Sequence, residues 1–158
     1  FRSLINPADS RFLCPEDMPA MITEYCRETN QPEPETPGQL ARCILESLAL
    51  MYAQTLDTIE RLTSRTIAKM HIVGGGSQSE LLNQFAASAT GRTVIAGPVE
   101  ATAVGNILIQ AVSLQDLASL AEIRKLVRNS FSVRTYVPES VDAWKQAHLR
   151  FQNLVEVV

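Results

Sequence analysis

The sequence predicts an α/β fold: a mostly helical chain around a small parallel sheet of βαβ type. Three observations predict it. A short apolar run, Met70-His71-Ile72-Val73, enters three consecutive glycines and then a helical pattern. A second β-branched run, Thr93-Val94-Ile95-Ala96, follows once that pattern ends at Thr90-Gly91. Upstream, apolar residues recur at three- and four-residue steps from Leu40 to Leu62. Strand, helix and strand this close in sequence require a right-handed crossover between parallel strands.

Residues 1–38 hold six of the eight prolines, with seven Asp/Glu against three Arg. They read as an irregular lead-in and a short helix over 18–29, started by Asp17 and Pro19. Gln31-Pro32-Glu33-Pro34-Glu35 is an extended connector. Thr36-Pro37-Gly38-Gln39 forms a capping box with proline at the first helical position. The helix it opens runs over 37–64, about 40 Å at 1.5 Å per residue. Leu40, Ile44, Leu48, Met51, Tyr52, Thr55, Leu56, Ile59 and Leu62 form its core-facing stripe. The prolines between the two helices are compatible with a return that brings Cys26 close to Cys43, a pair kept reduced in a cytoplasmic protein.

A strand over 69–73 leads through the glycines to a helix over 79–90, with Ser77 and Glu80 as its capping box. Gly97-Pro98 ends the second strand. A helix over 101–112, rich in small residues (Ala101, Ala103, Gly105, Ala111), has a composition that permits close packing on the sheet. Ser119 and Glu122 cap a further helix near 120–130. The last begins about Pro138, with Val141, Trp144, Phe151 and Leu154 on one face.

Composition excludes several functions. The chain has 158 residues, 46% hydrophobic and 20% charged, with net charge −3. That is globular, with no basic run to suggest nucleic acid. No apolar stretch approaches a membrane span and no signal pattern opens the chain, so a cytoplasmic protein is expected. Cys14, Cys26 and Cys43 lack metal-ligand spacing, and His71 and His148 lie far apart, which argues against a zinc site. The chain opens on Phe1 without an initiator methionine, so a piece of a longer protein is expected.

The glycine segment carries the chemistry. Glycines remove the Cβ atoms that hold a ligand off the backbone. The following helix N-terminus presents unpaired N–H groups and a partial positive charge. A nucleotide or phosphate is the ligand such a place suits. A dinucleotide fold would need glycine where Ser79 stands, and its next acid, Glu100, follows Gly-Pro instead of ending a strand. A P-loop would need Gly-Lys-Ser/Thr after the glycines. Ser77 and Ser79 lack a nucleophile elbow, and Ser77 is better explained as a cap. His71 reads as a satisfied structural histidine, and Glu100 as an acid near a helix N-terminus. Asn83 and Gln84 stand where they reach either a nucleotide or the core. No base, nucleophile or metal cluster accompanies the loop, which looks like half of an active site.

His71-Ile72-Val73-Gly74-Gly75-Gly76-Ser77-Gln78, with Leu82-Asn83-Gln84, Ala86 and Thr90-Gly91-Arg92, resembles the adenosine-binding segment of FGGY-family carbohydrate kinases. Glu100-Ala101-Thr102-Ala103-Val104-Gly105-Asn106 is similar to that family's following small-residue helix. Val94-Ile95-Ala96-Gly97-Pro98-Val99-Glu100-Ala101-Thr102, Asn6-Pro7-Ala8-Asp9 and Arg42-Cys43-Ile44-Leu45-Glu46-Ser47-Leu48-Ala49 are most similar to its rhamnulokinase branch. So are Arg11-Phe12-Leu13 and Pro15-Glu16-Asp17-Met18-Pro19.

The resemblance implies an actin-like (ribonuclease H-like) two-domain kinase with ATP in the cleft, Mg²⁺ assisting and a ketose as second substrate. It makes residues 1–158 the C-terminal part of the second domain: 1–38 the lead-in and short helix, 39–158 the rest. Gly74, Gly75 and Gly76 match the adenosine loop, Gly75 foremost, with Gln78 beside them. The family's catalytic aspartate lies earlier than this chain, so the chain alone is expected to be inactive. Another FGGY sugar kinase, for xylulose or fuculose, and a non-enzymatic nucleotide-binding module are the alternative readings. Because only two strands are legible, a sheet edge and apolar helix faces are expected to lack partners. The isolated chain is therefore predicted to self-associate. Light scattering over a concentration series checks this, and a strict monomer would overturn it.

Overall fold

Three strands form one sheet in the order β1-β2-β3: Lys69–Ile72, Thr93–Ala96 and Arg134–Tyr136. The computed structural model describes residues 1–155. β1 and β2 are parallel, as predicted, with Met70 opposite Val94 and Ile72 opposite Ala96. β3 is antiparallel to β2, Ile95 facing Thr135, so the sheet is mixed where a purely parallel one was expected. Three residues with mostly exposed side chains carry no period for a sequence reading to detect.

The helices are α1 (Met18–Glu28), α2 (Pro37–Thr63), α3 (Glu80–Thr90), α4 (Ala101–Ser113), α5 (Leu120–Ser130) and α6 (Val141–Val155). Their starts obey the capping chemistry. Asp17, Thr36 and Ser119 each accept a hydrogen bond from a backbone N–H in the first turn of α1, α2 and α5. Gln39 and Glu122 reach back one residue beyond the cap, to the N–H groups of Glu35 and Ala118. Gly91 ends α3 in the left-handed conformation.

α2 is the spine. Its buried line is Cys43, Glu46, Ser47, Ala49, Leu50 and Ala53. This lies beside the predicted stripe, whose Ile59 and Leu62 are exposed. The difference has a tertiary cause: the buried line is the one that the lead-in, α1, α3 and α6 together cover. Leu50 and Ala49 join Leu4, Phe85, Trp144, Ala147 and Phe151 in one core cluster. Cys43 joins Ile5, Ile22, Tyr25 and Cys26 in a second. Ile72, Ala86, Ala87 and Val94 form a third, under the sheet. Cys26 and Cys43 lie together in that second cluster, both as free thiols. Interaction with Cys26 and then burial push the Cys43 thiol well above its usual range.

The lead-in is irregular but firmly held by side chains. Both backbone groups of Leu4 bond to the amide of Gln31, at 2.9 and 2.7 Å. The Ile5 N–H donates to Ser47 Oγ at 2.9 Å, and that hydroxyl donates to the Cys43 carbonyl at 2.7 Å. A side chain thus does for this segment what a neighbouring strand would do. α4 does not realise the close packing its composition permits: only Leu108 is buried, and Ile107 and Ile109 are exposed. α5 buries no residue. No helix among the described residues is long and apolar enough to cross a membrane.

Two predictions follow from these contacts. Ser47→Ala leaves the Ile5 N–H buried and unpaired, at a cost of about 1–3 kcal/mol, read from urea unfolding. An unchanged midpoint would contradict it. At the base of the sheet, Glu60 accepts from the Ile67 N–H at 2.6 Å and pairs with Arg92 at 2.7 Å. The bond from Ile67, then the one from Arg92, holds its carboxyl below the ordinary value of 4.5. The stabilisation is therefore complete above the unfolded-state value and is lost as pH falls through the lower folded value. Glu60→Gln is expected to flatten the loss of stability below pH 4.5, and an identical acid limb would refute the coupling.

Candidate nucleotide-binding site

The glycine loop sits at the C-terminal ends of the two parallel strands, where ligands of α/β sheets characteristically lie. The hydrogen bonding continues past the strands. The Gly97 N–H donates to the Ile72 carbonyl at 2.8 Å, and the Gly74 N–H to the Pro98 carbonyl at 3.2 Å. The two loops that leave the sheet are thereby stitched together at their bases.

Residues Gly74–Gln78 coil into one short 3₁₀ turn. Gly74 has φ +74°, a conformation that side chains resist, so the turn itself requires glycine there. Gly75 is different. Its φ is not in the left-handed region, and a Cβ built on it meets nothing within 4 Å. A Cβ on Gly76 would make only an ordinary 3.6 Å contact with Ile72 Cγ2. Neither strain nor packing within this chain asks for glycine at 75 or 76. Both are exposed, as is Gln78.

Ser77 does not cap α3, contrary to the sequence reading. Its side chain is buried, and its hydroxyl donates back to the Gly74 carbonyl at 2.7 Å. Ser79 is the cap, accepting from the Leu82 N–H. A serine two residues earlier competes in sequence because the tightness of the intervening turn is invisible there. Glu80 remains in the first turn, favourably placed against the helix dipole and paired with Arg134 of β3.

The other sequence candidates fall elsewhere. Asn83 is completely buried beneath the loop, its side-chain N–H donating to the Ser77 carbonyl at 2.9 Å. Gln84 donates to the Val137 carbonyl, tying the segment after β3 to α3. Both amides are engaged within the chain. His71 is exposed on β1, not a satisfied core histidine. It lines a groove of about 760 Å³ between the sheet and α5, together with Lys69, Arg124 and Arg128. That groove ends at Val73, Gly97 and Pro98, below the glycine loop. Glu100 stands at the N-cap of α4 with no capping bond from its side chain. Among the described residues, no three His, Cys, Asp or Glu side chains gather as a metal site. The loop and its neighbours thus offer no all-protein cage for a divalent cation.

The C-terminal domain model of the FGGY family of carbohydrate kinases matches residues 1–114. The chain belongs to that family. The rhamnulokinase of Bacteroides thetaiotaomicron is 50% identical over 155 residues, 98% of this chain and 32% of that protein. Those of Enterobacter sp. strain 638 and Bacillus subtilis are 46% and 43% identical, over 96% and 90% of this chain. The chain spans about a third of the length of these relatives. Xylulose kinase from Rhodospirillum rubrum shares the fold, with TM-score 0.59 and 21% identity over 78% of this chain and 25% of that one. The mostly helical architecture with a small sheet is thus that of a sugar kinase of the actin-like type.

Proposed function

We propose that this chain is the nucleotide-binding, C-terminal part of an ATP-dependent kinase that converts L-rhamnulose to L-rhamnulose 1-phosphate, releasing ADP. The open backbone at Gly75 carries the reading. A glycine that its own chain does not require, at the mouth of parallel strands, leaves room for a flat ligand against the main chain. Gly74 shapes the turn, Gly75 and Gly76 form the surface against the adenosine, and Gln78 flanks it. The choice of sugar is supported by three rhamnulokinase relatives at 43–50% identity.

Phosphoryl transfer is catalysed chiefly by positioning and charge neutralisation. ATP, when bound, supplies the γ-phosphoryl group. This chain's residues hold and orient the adenosine end. The base that activates the sugar hydroxyl is assigned to an aspartate outside the chain. Residues 1–158 then form the C-terminal part of the second kinase domain.

A coupled ADP-release assay tests the reading. The full-length protein carrying this chain is expected to turn over L-rhamnulose, and the 158-residue chain to show no turnover. Activity of the chain alone, or inactivity of the full-length protein with every ketose tried, would contradict it. In the full-length protein, Gly75→Val is expected to raise the KM for ATP about tenfold, equivalent to about 1.4 kcal/mol, and to leave the KM for sugar within about twofold. An unchanged ATP KM in a folded variant would remove the loop from the site.

A further inference from the structure

The turn that presents Gly75 and Gly76 is short and rich in glycine, so its shape is set by the side chains that bond to it. Two side chains set it. Ser77 closes the turn on itself through the Gly74 carbonyl. Asn83 reaches up from α3 to the Ser77 carbonyl, six residues earlier, and is the side chain that ties the turn to a helix. The Asn83 backbone N–H adds a bond to the Ser79 carbonyl at 3.0 Å, closing the first turn of α3 over the same place.

Asparagine is a costly choice for this position. Its side chain is 0% exposed. Its Oδ1 is buried with no hydrogen-bond partner among the described residues. A buried acceptor left unpaired is unfavourable, whereas an apolar side chain of similar size leaves no such atom. The amide's gain is the single bond to Ser77 at the end of the glycine turn.

We propose that Asn83 is a positioning residue for the nucleotide: its buried amide pins the end of the glycine turn to α3 and so sets where Gly75 and Gly76 stand. This rests on the nucleotide reading of the loop. Asn83 touches no ligand itself and acts through the Ser77 carbonyl. Because α3 is packed on both α2 and the sheet, the pin refers the loop to a well-buried helix.

Steady-state kinetics of the full-length protein test the proposal, with ATP and L-rhamnulose varied in turn. Asn83→Leu and Asn83→Asp both keep a side chain of similar size and remove the donor. Each is expected to raise the KM for ATP about three- to tenfold, with the sugar KM changed less than about twofold. A general loss of folding would instead lower activity without separating the two substrates. Gly75→Val distinguishes the two ways of failing. If it leaves the ATP KM unchanged, the loop is not the nucleotide site and the proposal falls with that reading. If it raises the ATP KM while both Asn83 variants match the parent, the positioning role alone is overturned. Should the Asn83 variants fail to fold, amide exchange on the unaltered protein decides. ADP is expected to slow exchange across residues 74–83 as one unit, and protection confined to 74–76 would refute the pin.

Discussion

The close approach of α3 to α2 is the constraint on which the rest depends. Seven of the eleven residues of α3 are buried, and Ala86 and Ala87 are completely so. Phe85 fills the seam with Ala49, Leu50 and Trp144, and its ring lies 5.2 Å from the indole. With α3 set against α2, the crossover from β1 to β2 has one remaining course. The loop at its start and Gly91 at its end are then held at fixed ends of a rigid rod.

Helix starts were the most legible feature of the sequence, because capping is a local chemistry. Asp17, Thr36 and Ser119 stand where their spacing placed them. The parallel pairing of β1 with β2 was equally legible, since a short crossover permits little else. Features decided by partners distant in sequence were not. The apolar stripe of α2 identified a helix and misplaced its buried line, which the lead-in, α1, α3 and α6 select between them. β3 pairs through three residues without pattern, and the anchoring of Leu4 by Gln31 is a contact between segments that periodicity does not relate.

The glycine loop divides along the same line. Its place between strand and helix was plain, whereas the 3₁₀ coil that shifts the cap from Ser77 to Ser79 depends on a bond from Asn83 and one to the Pro98 carbonyl. Reach alone did not locate Asn83, because a residue one turn into a helix faces ligand or core according to how the preceding loop is wound. A buried amide under a glycine-rich turn is detectable only once burial is known. The exposed faces of α4 and α5 likewise carry apolar residues, Ile107, Ile109 and Leu120 among them, that no described residue covers.

The aromatic ring of Phe1 meets Trp144 edge-on at 4.6 Å, and Arg150 donates to the Phe1 carbonyl at 2.8 Å. The first residue of the chain is therefore completed by its last helix. Segments so far apart in sequence come together only after a long loop has closed, which slows folding relative to a bundle of local contacts. During synthesis the Phe1 ring stays without its indole partner until α6 has been made, so this end of the core is completed late.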